Sequence, residues 1–158
     1  MSEHIDTIVI GGGQAGLAIG YHLHRNGLPF LILDENPRIG DVWRNRWDSL
    51  RLFTPAAYSG LPGMGFPGPR SAYPTKDETA AYFESYVERF RLPVRTGIKV
   101  DRLSDTGDGF VVTSGDGEVF PAGLLVGQVV MGSDKRLRVA LAADYRRLEF
   151  LRVLRSHE

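Results

Sequence analysis

Gly11, Gly13 and Gly16 stand in a G-x-G-x-x-G spacing directly after a short apolar run, Thr7-Ile-Val-Ile10. A continuous apolar run of this length suits a strand buried on both faces of a parallel sheet. Gly11 allows a tight exit from such a strand, and Gly13 leaves no Cβ between the backbone and an approaching pyrophosphate. Gly16 lets the following helix pack closely. From Gln14 to about Asn26 the residues are good helix formers, with Gly27 and Pro29 as the stop. The first turn of that helix, with Gln14 and Ala15, would offer unpaired N–H groups and partial positive charge to phosphates. Phe30-Leu-Ile-Leu33 then reads as a second buried strand ending at Asp34 and Glu35. Strand, helix and strand within about 30 residues make one βαβ unit.

Asp34 lies 18 residues beyond Gly16 and would accept hydrogen bonds from a ribose hydroxyl pair. Glu35 is the alternative, and register favours Asp34 because it directly continues the strand. An acid at this place repels a 2′-phosphate, which disfavours NADP at this site. Among 19 glycines the fingerprint alone is weak, and its value comes from the strand before it, the helix after it and the acid that completes it. A solvent-facing glycine turn and a solvated strand-end acid are the readings it has to displace.

Composition limits the rest. A chain of 158 residues, 42% hydrophobic and 24% charged, fits one globular domain. It is short for an enzyme that holds a dinucleotide and acts on a second substrate, because such sites usually form between two domains. Nineteen basic and nineteen acidic residues cancel, so no global field recruits nucleic acid or an anionic membrane. With no cysteine there is no disulfide, thiolate metal site or redox dithiol. His4, His22, His24 and His157 lack metal-ligand spacing, so no metal is expected. The polar, acidic N-terminus lacks the pattern of a signal peptide, and no apolar run approaches the roughly 20 residues of a membrane span. A cytoplasmic protein is expected.

Residues 36–74 hold most of the prolines and both tryptophans without a sustained period, and read as an ordered loop wrapped around something. Thr75-Lys-Asp-Glu78 has capping-box form, and Tyr82, Phe83, Tyr86, Val87 and Phe90 recur at helical spacing, which predicts a helix from about Lys76 to Phe90. Leu92 opens an extended segment through Ile98 to Leu103. A turn at Asp105 to Gly109, a strand at Phe110 to Thr113, a turn at Gly115 to Gly117 and Glu118 to Phe120 complete a three-stranded antiparallel meander. Leu124 to Met131 is apolar. Leu141, Tyr145, Leu148, Leu151 and Leu154 suggest an amphipathic helix from about Val139 to Ser156. The fold class expected is α/β, a Rossmann-like domain with a parallel sheet and an antiparallel meander.

Three stretches carry a specific resemblance: Asp6-Thr-Ile-Val-Ile-Gly-Gly-Gly-Gln-Ala-Gly16, then Gly40-Asp-Val-Trp-Arg-Asn-Arg-Trp-Asp-Ser-Leu-Arg-Leu-Phe-Thr-Pro55, then Tyr73-Pro-Thr-Lys76. In correct order they resemble the N-terminal part of flavin-containing monooxygenases, within the pyridine nucleotide-disulfide oxidoreductase superfamily, over about residues 5 to 126. The resemblance implies FAD bound in an extended pose. Gly11 to Gly16 would face the pyrophosphate and Asp34 the adenosine ribose. The turn of Gly40, Val42 and Trp43 would meet the ribityl and flavin end, and the backbone of Val100 would approach the adenine. The competing reading of the long loop is a satellite core of Trp43, Trp47 and Phe53. Arg44, Arg46, Arg51 and Lys76 are the polar residues placed nearest the cofactor or NADPH, against the alternative of solvated surface charge.

Departures from the family pattern shape the functional expectation. Many flavin-containing monooxygenases have an Asn in the segment that reads Leu50-Arg-Leu-Phe53, and Phe53 cannot replace its hydrogen bonds. The cysteine pair of the larger disulfide reductases is missing, which favours oxygenation over dithiol exchange. Catalytic residues stay unassigned, since in such enzymes the flavin carries the chemistry and no protein nucleophile is needed. Leu124-Leu-Val-Gly-Gln-Val-Val-Met131 stands where an Ala-Thr-Gly-like turn is expected, and no second glycine fingerprint follows. The organisation expected is an FAD-binding part over residues 1–126 and a divergent arginine-rich tail over 127–158, without an NADPH domain. The tail is the frame-shifted or truncated end of a longer gene, or else a short protein's own helix covering a sheet edge. The functional readings are an FAD-dependent monooxygenase acting with NADPH on a small organic substrate, a non-catalytic FAD- or nucleotide-binding module, or a fragment without function. Self-association through the surface a missing domain would cover is also expected.

Overall fold

A strand that is apolar along its length has to be covered on both faces, and Phe30–Asp34 (β2) is buried at all five positions. It pairs in parallel with Ile5–Ile10 (β1), Val9 opposite Ile32, and with the short Val94–Thr96 (β3), Ile32 opposite Val94. The structure is a computed structural model and describes residues 5–105, 110–115, 119–125, 128–131 and 137–140. Gln14–Arg25 (α1) joins β1 to β2. The loop after β2 contains the single-turn helix Asp41–Arg44 (α2) and a 3-10 turn at Ala56–Tyr58, and then enters Lys76–Phe90 (α3).

The expected meander is present as Val100–Asp105 (β4), Phe110–Ser114 (β5) and Val119–Leu125 (β6). It is continuous with the parallel strands, giving one six-stranded sheet in the order β3-β2-β1-β6-β5-β4. β6 changes partner along its length: Val119 to Ala122 pair with β5 and Ala122 to Leu125 with β1. Pro121, which has no N–H to give, falls before the first residue paired with β1, where its missing donor costs no bond to that strand. Gln128–Met131 (β7) and Leu137–Ala140 (β8) form a separate antiparallel pair.

Two expectations change. The extended segment from Leu92 to Leu103 is divided by Gly97, whose φ of +74° turns the chain between β3 and β4. This turn is tied to the end of β2 by Gly97 N–H on Asn36 O and Ile98 N–H on Asp34 O, each 2.9 Å. The helix expected from about Val139 does not start there, because Val139 and Ala140 belong to β8, opposite Val129 and Gln128. Leu137-Arg-Val alternates apolar and polar, a period of two that outweighs the helical spacing in this segment. The rest of that helix, residues 141–158, and the turn at 106–109 lie outside the described residues.

α1 and α3 cover one face of the sheet, packing Leu17, Tyr82, Phe83 and Tyr86 against Phe30 and Ile32. On the other face Val112, Phe110 and Val100 from the meander meet Ile8, Leu31 and Leu33. α3 begins with the predicted capping box, in which Thr75 Oγ1 accepts from Glu78 N at 3.2 Å and Glu78 Oε2 accepts from Thr75 N at 2.7 Å. Tyr82 and Tyr86 fix the loop above the helices. The Tyr82 hydroxyl accepts from Leu61 N at 2.7 Å and donates to Met64 O at 2.6 Å, while Tyr86 donates to Pro62 O at 2.6 Å.

Burial pushes both phenols above their ordinary value of 10.0, opposed at Tyr82 by the Leu61 N–H and reinforced at Tyr86 by the neighbouring tyrosines. The unfolded chain therefore loses these protons first. Stability is expected to hold below pH 10.0 and to fall as pH rises above it, in urea denaturation followed by far-UV circular dichroism. Tyr82→Phe, which strands the Leu61 N–H and Met64 carbonyl, should cost about 1–3 kcal/mol at neutral pH and lessen the alkaline fall.

Candidate cofactor site

The glycine turn is set by three contacts. Gly11 leaves β1 at φ +101° and donates its N–H to Leu33 O at 2.7 Å. Gly12 donates to Asp34 Oδ2 at 2.5 Å. A Cβ on Gly16 would stand 1.9 Å from Gly11 O, so the third glycine is required by the turn itself as well as by the sheet beneath it. Gly12, which sequence reasoning passed over, is equally constrained, since a Cβ there would lie 2.9 Å from Asp34 Oδ2 and 2.5 Å from Ile39 Cδ1. Its signal in the sequence was position alone, in a run of three glycines facing an acid.

Gly13 is different. It is the N-cap of α1 with φ −82°, open to any residue, and a Cβ on it would meet nothing within 4 Å. No side chain caps this helix and its first turn has no acid. The N–H groups of Gly13, Gln14, Ala15 and Gly16 have no acceptor among the described residues. These donors stand at the positive end of a twelve-residue helix, with Gln14 and Ala15 exposed, Gly13 half-buried and Gly16 buried.

Asp34 is 8% exposed and lies behind this turn. Its Oδ1 accepts from Asn36 N at 2.8 Å and Asn36 Nδ2 at 2.9 Å, and its Oδ2 from Gly12 N. A carboxylate has about four acceptor positions, so one remains on Oδ2. Glu35, the alternative, is exposed. Half-buried Val100 follows the Gly97 turn that closes on Asp34 and Asn36, which places its strand next to the acid.

The turn of Gly40, Val42 and Trp43 rests on α3. Gly40 has φ +86° and sits so close to Ala80 that a Cβ would approach its Cα to 2.8 Å. Trp43 is half-buried, meets Phe83 edge to face at 6.5 Å and packs on the main core under α3, so it belongs to that core and to no satellite core. Trp47 and Phe53 are 64% and 94% exposed and form no satellite core with it, and Val42 is exposed as well. Arg44 and Lys76 are neither surface charges nor aimed at open space. The Arg44 guanidinium binds Ile39 O at 2.8 Å, Asp41 Oδ1 at 3.0 Å and Glu84 Oε2 at 2.6 Å. Buried Lys76 places its ammonium 3.0 Å from Arg44 O and 3.3 Å from Asp48. Arg46 and Arg51 are exposed and donate to the carbonyls of Val42 and Tyr73. Sequence reasoning also missed a cleft of about 280 Å³ lined by Ala56, Leu61, Met64, Phe66 and Arg70 on the same loop.

Among the described residues, no three of His, Asp and Glu gather as a metal site, and no helix is long and apolar enough to cross a membrane.

A glycine turn after a parallel strand, an unoccluded helix start and a buried strand-end acid define a dinucleotide-binding α/β domain. Residues 8–145 match the pyridine nucleotide-disulphide oxidoreductase family model, and the chain belongs to that family, whose cofactor is FAD. An uncharacterized CzcO-like oxidoreductase of Geobacillus kaustophilus is 49% identical over 117 residues, which are 74% of this chain and 34% of that protein. Probable indole-3-pyruvate monooxygenase YUCCA1 of Arabidopsis thaliana is 38% identical over 105 residues, 65% of this chain and 25% of its own length. A flavin-containing monooxygenase from Stenotrophomonas maltophilia superposes with a TM-score of 0.74 at 40% identity, covering 79% of this chain and 38% of that one. The chain therefore spans about a third of the length of the bacterial CzcO-type oxidoreductases it matches.

The two kinds of glycine separate by mutation. Gly16→Ala should destabilise the fold by more than about 2 kcal/mol, since a backbone carbonyl cannot move aside. Gly13→Ala should cost no more than about 1 kcal/mol, the penalty of a poorer cap. Thermal unfolding of the two variants beside the parent checks this.

Proposed function

We propose that this chain binds FAD in an extended pose and belongs to an oxidoreductase of the flavin monooxygenase kind. The observation that carries the reading is the row of unpaired amides from Gly13 to Gly16, with Asp34 buried directly behind it. The residues fit the group: Gly11 and Gly13 leave a cradle that a Cβ would fill, and Asp34 keeps an acceptor for a ribose hydroxyl. Gly11, Gly13, Gln14, Ala15 and Gly16 would hold the pyrophosphate. Gly40, Val42 and Trp43 would line the ribityl and flavin end, and the Val100 backbone would approach the adenine. Residues 1–126 would form the FAD-binding part, with 127–158 a separate tail.

FAD, when bound, would supply hydride acceptance and oxygen chemistry, and the residues named above would hold and orient it. The finer reading is NADPH-driven oxygenation of a small organic substrate, as the names of the monooxygenase relatives suggest. Gly63-Met-Gly65-Phe-Pro-Gly68 repeats the spacing in the loop, but no strand leads into it and no helix opens from it, so it would not hold NADPH as a second dinucleotide turn. The alternative is an FAD-binding module that works with a partner chain. NADPH-dependent oxygen consumption by the FAD-loaded chain separates the two. We place the protein in the cytoplasm, and the exposed Trp47, Phe53 and Tyr58 support self-association, which a monodisperse monomer on size-exclusion chromatography would contradict.

The binding test is a titration with FAD followed by flavin fluorescence. Saturable one-to-one binding is expected. Asp34→Ala should weaken it about 10- to 100-fold, the cost of a charged hydrogen bond, and Glu35→Ala should leave it unchanged. Absence of saturable binding by the parent chain would refute the reading.

A further inference from the structure

Lys76, Ala80 and Glu84 are spaced four residues apart on α3 and form one stripe of that helix. Each contacts the turn of residues 38–44. Lys76 donates to the carbonyl of Arg44, Ala80 lies under Gly40, and Glu84 binds the Arg44 guanidinium at 2.6 Å and faces Arg38 at 3.7 Å. α2 is a single turn of helix, which has no stability of its own in water.

The carbonyls of the turn show what holds it. Arg38 O accepts from Asp41 N, Gly40 O from Trp43 N and Arg44 N, Asp41 O from Asn45 N, and Trp43 O from Arg46 N. Ile39 O and Val42 O accept from the Arg44 and Arg46 side chains. Arg44 O is satisfied from outside the turn, by the Lys76 ammonium. Lysine is rarely buried, and an ammonium withdrawn from water is costly unless partnered. Here Asp48 at 3.3 Å and Asp77 at 3.5 Å supply the opposite charge.

We infer that Lys76 and Glu84 are positioning residues for the flavin-side turn, fixing Gly40 to Arg44 on α3 and so setting affinity for FAD without touching it. The inference rests on the proposed FAD site. Its geometric content is independent of that site, because the two side chains grip the turn through Arg44 and reach neither the Gly11–Gly16 turn nor Asp34.

ADP and FAD share the adenosine and pyrophosphate end, and only FAD extends to the turn. Lys76→Met and Glu84→Gln should therefore weaken FAD binding about tenfold, the loss of one charge-assisted hydrogen bond, while ADP binding by calorimetry stays at the parent value. The circular dichroism of the bound flavin in the visible range should change with them. In the ligand-free protein, hydrogen exchange at the amides of Trp43, Arg44, Asn45 and Arg46 should quicken while α1 and β2 keep their protection.

A parallel loss of FAD and ADP affinity would mark general damage and overturn the inference, as would unchanged FAD affinity. Glu84→Gln, at a half-exposed position, preserves the test should Lys76→Met fail to fold. If the parent chain binds neither ligand, the function proposal fails separately. The exchange data then decide the clamp: quickening confined to the four amides upholds it, and unchanged exchange overturns it.

Discussion

The Asp34 carboxylate joins the parts of this domain that carry its function. One oxygen accepts from Gly12 in the turn after β1, the other from Asn36 beyond β2, and the backbone carbonyl of the same residue accepts from Ile98 at the start of the meander. Three segments far apart in sequence are thereby fixed around one buried acid. A buried carboxylate is tolerated only when its acceptor positions are filled, and backbone donors fill most of them here. The same demand that makes Asp34 structurally necessary leaves one acceptor position on Oδ2 unfilled among the described residues.

How much of this could be read beforehand depended on whether the signal was local. β1, α1 and β2 follow from an apolar run, a glycine turn and a second apolar run, and α3 from Thr75 to Glu78 and an aromatic period. Each is a short-range pattern, and each appears within a residue or two of its expected limits. The turn at Gly97 has no local signal, because one glycine in an extended stretch does not declare that the strands on either side pair with different partners. At Val139 and Ala140 the leucine spacing beyond them predicts a helix, and the pairing with β7 makes them strand.

The charged residues of the loop were the hardest to place. Arginine and lysine are usually solvated, and nothing in their immediate sequence separates Arg44 from Arg46 or Lys76 from any other lysine. The difference arises in three dimensions. Arg44 has Glu84 one stripe away on α3, whereas Arg46 projects to solvent and returns only to a carbonyl of its own turn. Lys76 occupies the first position of α3, where its cation is badly placed for the helix dipole and well placed for the carbonyl end of α2 beside it. The position costs something for one helix and stabilises the other, which points to the relation between the two helices as what these residues determine.

The glycines divide in a way that clarifies what the fingerprint means. Gly12, Gly16 and Gly40 are hemmed in by the protein itself, by Asp34, by the Gly11 carbonyl and by Ala80. Chains that make this close-packed turn need such glycines whether or not they hold a nucleotide, so these positions report the fold. Gly13 has ordinary backbone angles and empty space where a side chain would point, so its preference as a helix cap is the one local reason for it. Its small size would also let a ligand approach the N–H groups beside it, and donors at a helix start suit an anion. The case for a phosphate ligand therefore rests on one glycine and the N–H groups next to it far more than on the motif as a whole.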